Sequence, residues 1–154
     1  MFNTRRMRTP DWYIAWLMVF IQFAMLGLLL FTGPILPIKW WVAILMIVGA
    51  FIGLWSIYTL RLGNLNIAPH VREGGTMIAK GPYRFIRHPM YTGLILISWA
   101  LVGNLPTIAR ILFALTLTIS LIVKLHLEEQ YLRLSFPTYS EYIAKTKKLI
   151  PFIW

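Results

Sequence analysis

From Trp12 to Phe31 apolar residues run almost unbroken, and Gln22 is the one strongly polar side chain among them. These 20 residues, at about 1.5 Å of rise each, just cross a hydrocarbon layer of roughly 30 Å, so the pattern predicts a first membrane-spanning helix. The run is longer than the apolar core of a cleaved leader and no A-x-A-like site follows it, which favours a span. Gly33-Pro34 and Pro37 break the helix, and Trp40 to Leu60 then offers 21 residues softened by Ser56 and Thr59, a second span. A third run, Pro89 to Asn104, has 16 residues, about 24 Å of helix, and is short for a full crossing. Asn104-Leu105-Pro106 punctuates it, with proline suited to a helix start, and a fourth span follows over 106–127. Beyond Leu127, charged residues alternate with Leu132, Leu134, Phe136, Tyr139, Tyr142 and Ile143, which predicts an amphipathic helix lying on the membrane surface. The expected fold is therefore an all-α integral membrane protein, one domain over 1–154, with four transmembrane helices and a C-terminal surface helix.

Composition agrees. The chain is 58% hydrophobic and 13% charged, with mean hydropathy +0.68; a soluble domain carries about 25% charged residues, so a soluble enzyme is excluded. No cysteine is present, which removes disulfides, thiolate nucleophiles and zinc–sulfur sites, and three scattered histidines suggest no metal centre. The net charge of +10 is distributed by topology. Arg5, Arg6 and Arg8 precede the first span; Arg61, Arg72, Lys80, Arg84 and Arg87 lie between the second and third; Lys124, Arg133, Lys145, Lys147 and Lys148 end or follow the fourth. Only Lys39 and Arg110 fall on the other side. By the positive-inside rule both termini and the long middle loop are expected in the cytoplasm. The charge then serves orientation and contact with anionic lipid headgroups, and no nucleic-acid partner is expected.

Two clusters on that face could carry chemistry. Gly81-Pro82-Tyr83-Arg84-Phe85-Ile86-Arg87-His88-Pro89-Met90-Tyr91 is a turn leading into a helix, with two potential cations beside the partly positive helix start, a place for a carboxylate or phosphate. The plainer alternative is a basic turn against lipid headgroups. Lys124, His126, Glu128, Glu129 and Arg133 form the second cluster. Lys124 and Glu128 are four apart, as are Glu129 and Arg133, so surface ion pairs along one helix would also account for them. Acids are costly at a membrane boundary, however, and the chain has only five.

The run Arg87-His88-Pro89-Met90-Tyr91, followed by Glu128-Glu129 and then by Phe136, Tyr139, Tyr142, Lys145-Thr146 and Pro151, resembles the isoprenylcysteine carboxyl methyltransferases and the related phospholipid methyltransferases. The resemblance covers Gly63 to Pro151 and implies an integral membrane enzyme that moves a methyl group from S-adenosylmethionine to a lipophilic acceptor drawn from the bilayer. It implies a cofactor region at about 78–93 and 124–151. Lys80, Gly81, Pro82 and Tyr83 would supply backbone contacts, while Arg87, His88 and Tyr91 would line the cofactor's amino-acid end. Glu128 and Glu129 would bind its hydroxyls or ammonium, and Lys124 would stand near the acceptor. Pro137 stands where a glycine is usual. S-adenosylmethionine carries a carboxylate, an ammonium, a ribose diol and a sulfonium, so acids and cations side by side suit it. A carboxylate acceptor needs no general base; a thiol or amine must lose a proton, for which His88, His126 and Glu129 are the nearby groups.

Membrane sterol and steroid reductases, which use a nicotinamide cofactor, resemble the chain in the same turn but read R-H-P-N-Y-x-G-E, where this sequence has Met90 and Leu94. A small transporter would place an acid within a span, and between Trp12 and Leu127 the acid present is Glu73 of the middle loop. The identity of the acceptor and the oligomeric state are open at the level of sequence.

Overall fold

The computed structural model describes residues 9–64, 78–151 and 153–154. Among them are five α-helices and no strand: α1 (Thr9–Phe31), α2 (Trp40–Asn64), α3 (Pro89–Asn104), α4 (Ile108–Ser135) and α5 (Tyr139–Lys145), with a 3-10 turn at Gly81–Arg84. Arg5, Arg6, Arg8, Arg72 and Glu73 lie outside the described residues. Two helices, α2 over Trp40–Leu60 and α4, are long and apolar enough to cross a membrane. The apolar stretch described in α1, Trp16–Phe31, is shorter, and α3 has 16 residues. Two of the four expected spans thus meet the length requirement by themselves.

Local punctuation explains the boundaries. His88 caps α3 and Pro89 occupies its first turn, where the missing N–H is no loss. At the other end Leu105 is extended, as a residue before proline must be. Thr107 caps α4 by accepting from the Arg110 backbone N–H at 3.3 Å. The expected division at Leu127 is not observed: α4 continues to Ser135, and in place of one amphipathic surface helix after Leu127 there are this extension and the seven-residue α5. Glu128 to Leu134 contains good helix formers, and the chain leaves helical geometry only at Phe136, which precedes Pro137.

Helix α2 packs on α3, α1 on α4, and α3 and α4 form a hairpin between them. The α2–α3 approach is close because glycine faces glycine: a Cβ at Gly93 would sit 2.6 Å from the Gly49 carbonyl oxygen and 3.1 Å from the Gly53 nitrogen. Leu29, Leu101, Leu117, Leu121 and Leu125 fill the core, whereas Ile47, Phe51, Leu54 and Tyr58 of α2 are exposed, an apolar outer face fitting for a lipid solvent.

The end of the bundle remote from the charged clusters is pinned by two polar side chains. Asn104 donates to the carbonyls of Pro34 (2.9 Å) and Leu36 (2.8 Å) and accepts from the Ile38 N–H at 2.8 Å, so it holds the α1–α2 turn. Arg110, fully buried, donates to the Leu29 carbonyl at 2.8 Å and the Leu101 carbonyl at 2.7 Å. Both carbonyls belong to the last turns of helices, where the dipole is negative and free acceptors remain. Arg110 is thus a structural staple as well as one of the two charges expected on that side.

Candidate active site

At the opposite end the chain turns sharply before α3. Gly81 has φ +56°, and a Cβ there would meet the Thr59 hydroxyl at 2.5 Å, so both conformation and space select glycine. The Lys80 carbonyl accepts from the Tyr83 N–H at 3.1 Å, and the Pro82 carbonyl from the N–H groups of Phe85 (3.1 Å) and Ile86 (3.2 Å). Pro82 and Tyr83 are buried, while Lys80 is exposed at the head of the turn.

The C-terminal segment then lies along residues 85–88. The Arg87 N–H donates to the Lys147 carbonyl at 2.8 Å, the His88 N–H to the Lys148 carbonyl at 3.1 Å, and the Lys147 N–H to the Phe85 carbonyl at 3.1 Å. The Thr92 hydroxyl adds a bond to the Leu149 carbonyl at 2.8 Å, and the Tyr142 hydroxyl one to the Tyr83 carbonyl at 2.6 Å. The 80–93 region, α4 and the tail therefore converge on one spot.

There Arg87 and Glu129 form a buried pair, Nε to Oε1 2.6 Å, with both side chains 6% exposed. Arg87 Nη1 also donates to the Thr146 carbonyl at 2.6 Å and to its hydroxyl at 3.3 Å. The His88 ring sits between the two acids: Nδ1 lies 3.4 Å from Glu128 Oε2 and Nε2 3.4 Å from Glu129 Oε1. The second contact lacks hydrogen-bond alignment, so Nε2 is a buried nitrogen with no hydrogen-bond partner among the described residues. Tyr91 stacks on His88, with centroids 5.5 Å and planes 11° apart, and its hydroxyl donates to Glu128 Oε1 at 2.5 Å. Burial by itself depresses the His88 imidazolium, but Glu128 and Glu129 outweigh it and hold the pKa above the usual 6.5. Burial also pushes up the phenols of Tyr83 and Tyr139, and that of Tyr142 to about 12, so these remain neutral hydroxyls.

The expected clusters meet, with a division of labour that the sequence does not display. Glu128 and Glu129 turn to His88, Tyr91 and Arg87; the helical ion pairs to Lys124 and Arg133 do not form. Arg87 and Glu129 are spent on each other and on the tail. Glu128, at 18% side-chain exposure, is the acid left accessible. Lys124 is buried, donates to Gln22 Oε1 at 3.3 Å and lies 5.3 Å from the Tyr91 ring centroid. His126 is exposed, its Nε2 3.2 Å from Lys148 Nζ. Gln22 was not among the expected site residues, although a lone amide in an apolar span is a signal that another polar group faces it. Thr146 contributes mainly a backbone carbonyl, for which residue identity carries no signal.

The described residues form helices, two of them long and apolar enough to cross a membrane, with a buried ionic cluster at one end, and these features define the class of an integral membrane protein. A family model described as phospholipid methyltransferase matches residues 38–138, and the chain belongs to that family. It is 36% identical over 72 residues to a methanethiol S-methyltransferase of Crocosphaera subtropica, a match covering 46% of this chain and 28% of the relative. It is 26% identical over 117 residues to the cobalt-zinc-cadmium resistance protein CzcN of Cupriavidus metallidurans, covering 72% of this chain and 51% of that one. The matched stretches are well under two thirds of either relative's length. No solved structure matches the chain.

Proposed function

We propose that the protein is an S-adenosylmethionine-dependent methyltransferase for a lipophilic acceptor, isoprenylcysteine carboxyl methyltransferase-like in its site. The observation that carries this reading is the cluster of Arg87, His88, Tyr91, Glu128 and Glu129, which falls wholly within the family-matched stretch and joins acids to cations in one buried place. The donor set fits the cofactor. His88 Nε2 is buried without a hydrogen-bond partner, and Glu128 keeps an accessible carboxylate. Glu128 and His88 would hold the cofactor's amino-acid end or diol, with Tyr91 orienting Glu128 and the Arg87–Glu129 pair fixing the tail beside them. When bound, S-adenosylmethionine supplies a methyl group on a cationic sulfur; the chain's part is to align the acceptor and exclude water.

In this reading α1 and α3 also cross the bilayer, and both termini and the site face the cytoplasm. The 13 to 2 division of basic residues supports that orientation. Because the chain has no cysteine, single cysteines at Ile35 and Ser140 report sidedness cleanly. Ser140→Cys should label from the cytoplasm and Ile35→Cys from the opposite side; labelling of both from one side refutes the orientation.

Calorimetry on detergent-purified protein tests the cofactor. S-adenosylmethionine and S-adenosylhomocysteine should bind and reduced nicotinamide nucleotides should not. Binding of the nucleotide alone would move the protein to the reductase class.

A further inference from the structure

We propose that Lys148, steadied by His126 and Trp154, holds the phosphate of an anionic phospholipid, and that this lipid fastens the C-terminal tail over the candidate active site. The lipid is a partner and not the methyl acceptor, so this site stands or falls independently of the methyltransferase reading.

On α4 the exposed side chains Ile108, Leu112, Leu115, Ile119 and Val123 recur at helical spacing as one apolar stripe, and exposed His126 continues it. From Ile108 to His126 the helix rises about 27 Å, close to the roughly 30 Å of a hydrocarbon layer. His126 therefore ends the lipid-facing stripe at the depth where headgroups begin. Lys148 links it to Trp154, a half-exposed indole at the level where such rings collect.

Lys148 is held ready at this edge. His126 Nδ1 lies 2.7 Å from the Ile122 carbonyl, which can only accept, so the ring proton sits on Nδ1 and Nε2 accepts from Lys148 Nζ at 3.2 Å. The ammonium also stands 5.3 Å from the Trp154 ring centroid, a cation–π contact. A closed turn brings that ring into place: the Leu149 and Ile150 N–H groups donate to the Trp154 main-chain oxygen at 2.8 and 2.7 Å. Among the described residues no carboxylate lies within ion-pair distance of Lys148. A positioned cation thus meets the headgroup layer without an anion of its own, and a lipid phosphate supplies one. Lys145 and Lys147, exposed in the same tail, add positive potential. The ammonium of a zwitterionic headgroup has no acid beside Lys148 to receive it, which favours an anionic lipid.

The same segment closes the candidate site. The carbonyls of Lys147 and Lys148 accept from the Arg87 and His88 N–H groups, and the Leu149 carbonyl accepts from the Thr92 hydroxyl. Lys148 therefore meets the buried cluster through its backbone while its side chain reaches α4 at the lipid edge. A lipid that binds only the docked arrangement stabilises docking by mass action.

Phosphatidylglycerol and phosphatidylcholine of equal chain length are titrated into the full chain in detergent, and bound lipid is counted by native mass spectrometry. Wild type should hold phosphatidylglycerol at least about tenfold more tightly than phosphatidylcholine, and Lys148→Gln should lose about tenfold for phosphatidylglycerol, the loss expected for one charge-assisted bond. Lys147→Gln, which removes the same charge one residue away, should stay within about twofold of wild type. Saturating phosphatidylglycerol should also slow hydrogen exchange at the Arg87 and His88 amides, whose acceptors lie in the tail, at least about tenfold in wild type and not in Lys148→Gln. Equal losses in Lys147→Gln and Lys148→Gln would mean diffuse surface charge and overturn the site, as would equal wild-type affinity for the two lipids. Displacement of phosphatidylglycerol by millimolar inorganic phosphate would make this a free-anion site and overturn the lipid assignment. Unchanged exchange on lipid addition overturns the fastening of the tail. If Lys148→Gln melts well below wild type, Trp154→Leu takes its place: loss of the ring should weaken phosphatidylglycerol about threefold and leave phosphatidylcholine unchanged, and wild-type affinity there overturns the proposal.

Discussion

Arg87 offers the sharpest separation between a buried constellation and a basic turn on a lipid surface. An exposed pair would contribute under about 1 kcal/mol, and Arg87→Ala would be nearly silent. Here both side chains of the Arg87–Glu129 pair are 6% exposed, and the guanidinium also bonds the Thr146 carbonyl at 2.6 Å. Removing the arginine strands the Glu129 carboxylate and that carbonyl together. Breaking a buried pair from one side costs about 3–5 kcal/mol. The loss of the Thr146 bond is contained in that range, because the groups act as a unit and their contributions do not add. Arg87→Ala should therefore lower unfolding free energy in detergent by about 3–5 kcal/mol. Arg87→Lys should recover only part, since lysine keeps the charge and loses the fork that reaches Glu129 and Thr146 at once. The informative variant is the double one: Arg87→Met with Glu129→Leu leaves no stranded charge and should be markedly more stable than Arg87→Ala. Denaturant titrations of all four proteins measure this. A loss below about 1 kcal/mol for Arg87→Ala, or a double variant no better than the single, would refute the buried-clamp account.

Glu128→Gln should weaken S-adenosylhomocysteine binding by about 1.5–3 kcal/mol, roughly tenfold to over a hundredfold by calorimetry, whereas Glu141→Gln, at an exposed position of α5, should bind like wild type; equal affinities would remove Glu128 from the site. Burial opposes the charged form of His88 and the two facing acids more than offset it, so its raised pKa makes the stabilisation fully present below about pH 6.5 and lost as pH rises through the raised value. The fall in thermal midpoint on going alkaline should then be shallower in His88→Asn, and parallel curves would contradict this. Gly93→Ala drives a methyl against the Gly49 carbonyl at 2.6 Å and should cost about 1–3 kcal/mol, while Gly27→Ala, with nothing within 4 Å, should be neutral or mildly stabilising; similar melting of the two would mean that α2 and α3 do not pack as described.

What could be read from the chain in advance follows from which interactions leave a mark on residue identity. The limits of α3 were legible because Pro89 and Asn104-Leu105-Pro106 act locally. The end of α4 was not, since the change from apolar to charged residues after Leu127 marks a change of surroundings and leaves the backbone free to continue until Pro137. The two motif clusters pointed to each other, but their internal pairing depended on which face of α4 meets His88, and spacing alone favoured the helical pairs Lys124–Glu128 and Glu129–Arg133 that do not form. The bonds of Arg110 and Asn104, and of Arg87 to Thr146, end on backbone carbonyls that any residue presents. The unexpected length of α4 also bears on function. Because the helix runs unbroken through both, Lys124 and Glu128 stand a single turn apart on one rigid element, with Tyr91 of α3 touching each. If Lys124 stands near the acceptor, as the family resemblance implies, and Glu128 holds the cofactor, the distance between the two ligands is set by the register of one helix. An insertion or kink between these residues should then impair transfer while leaving each ligand's own affinity in place, a separation that two sites on independent elements would not produce.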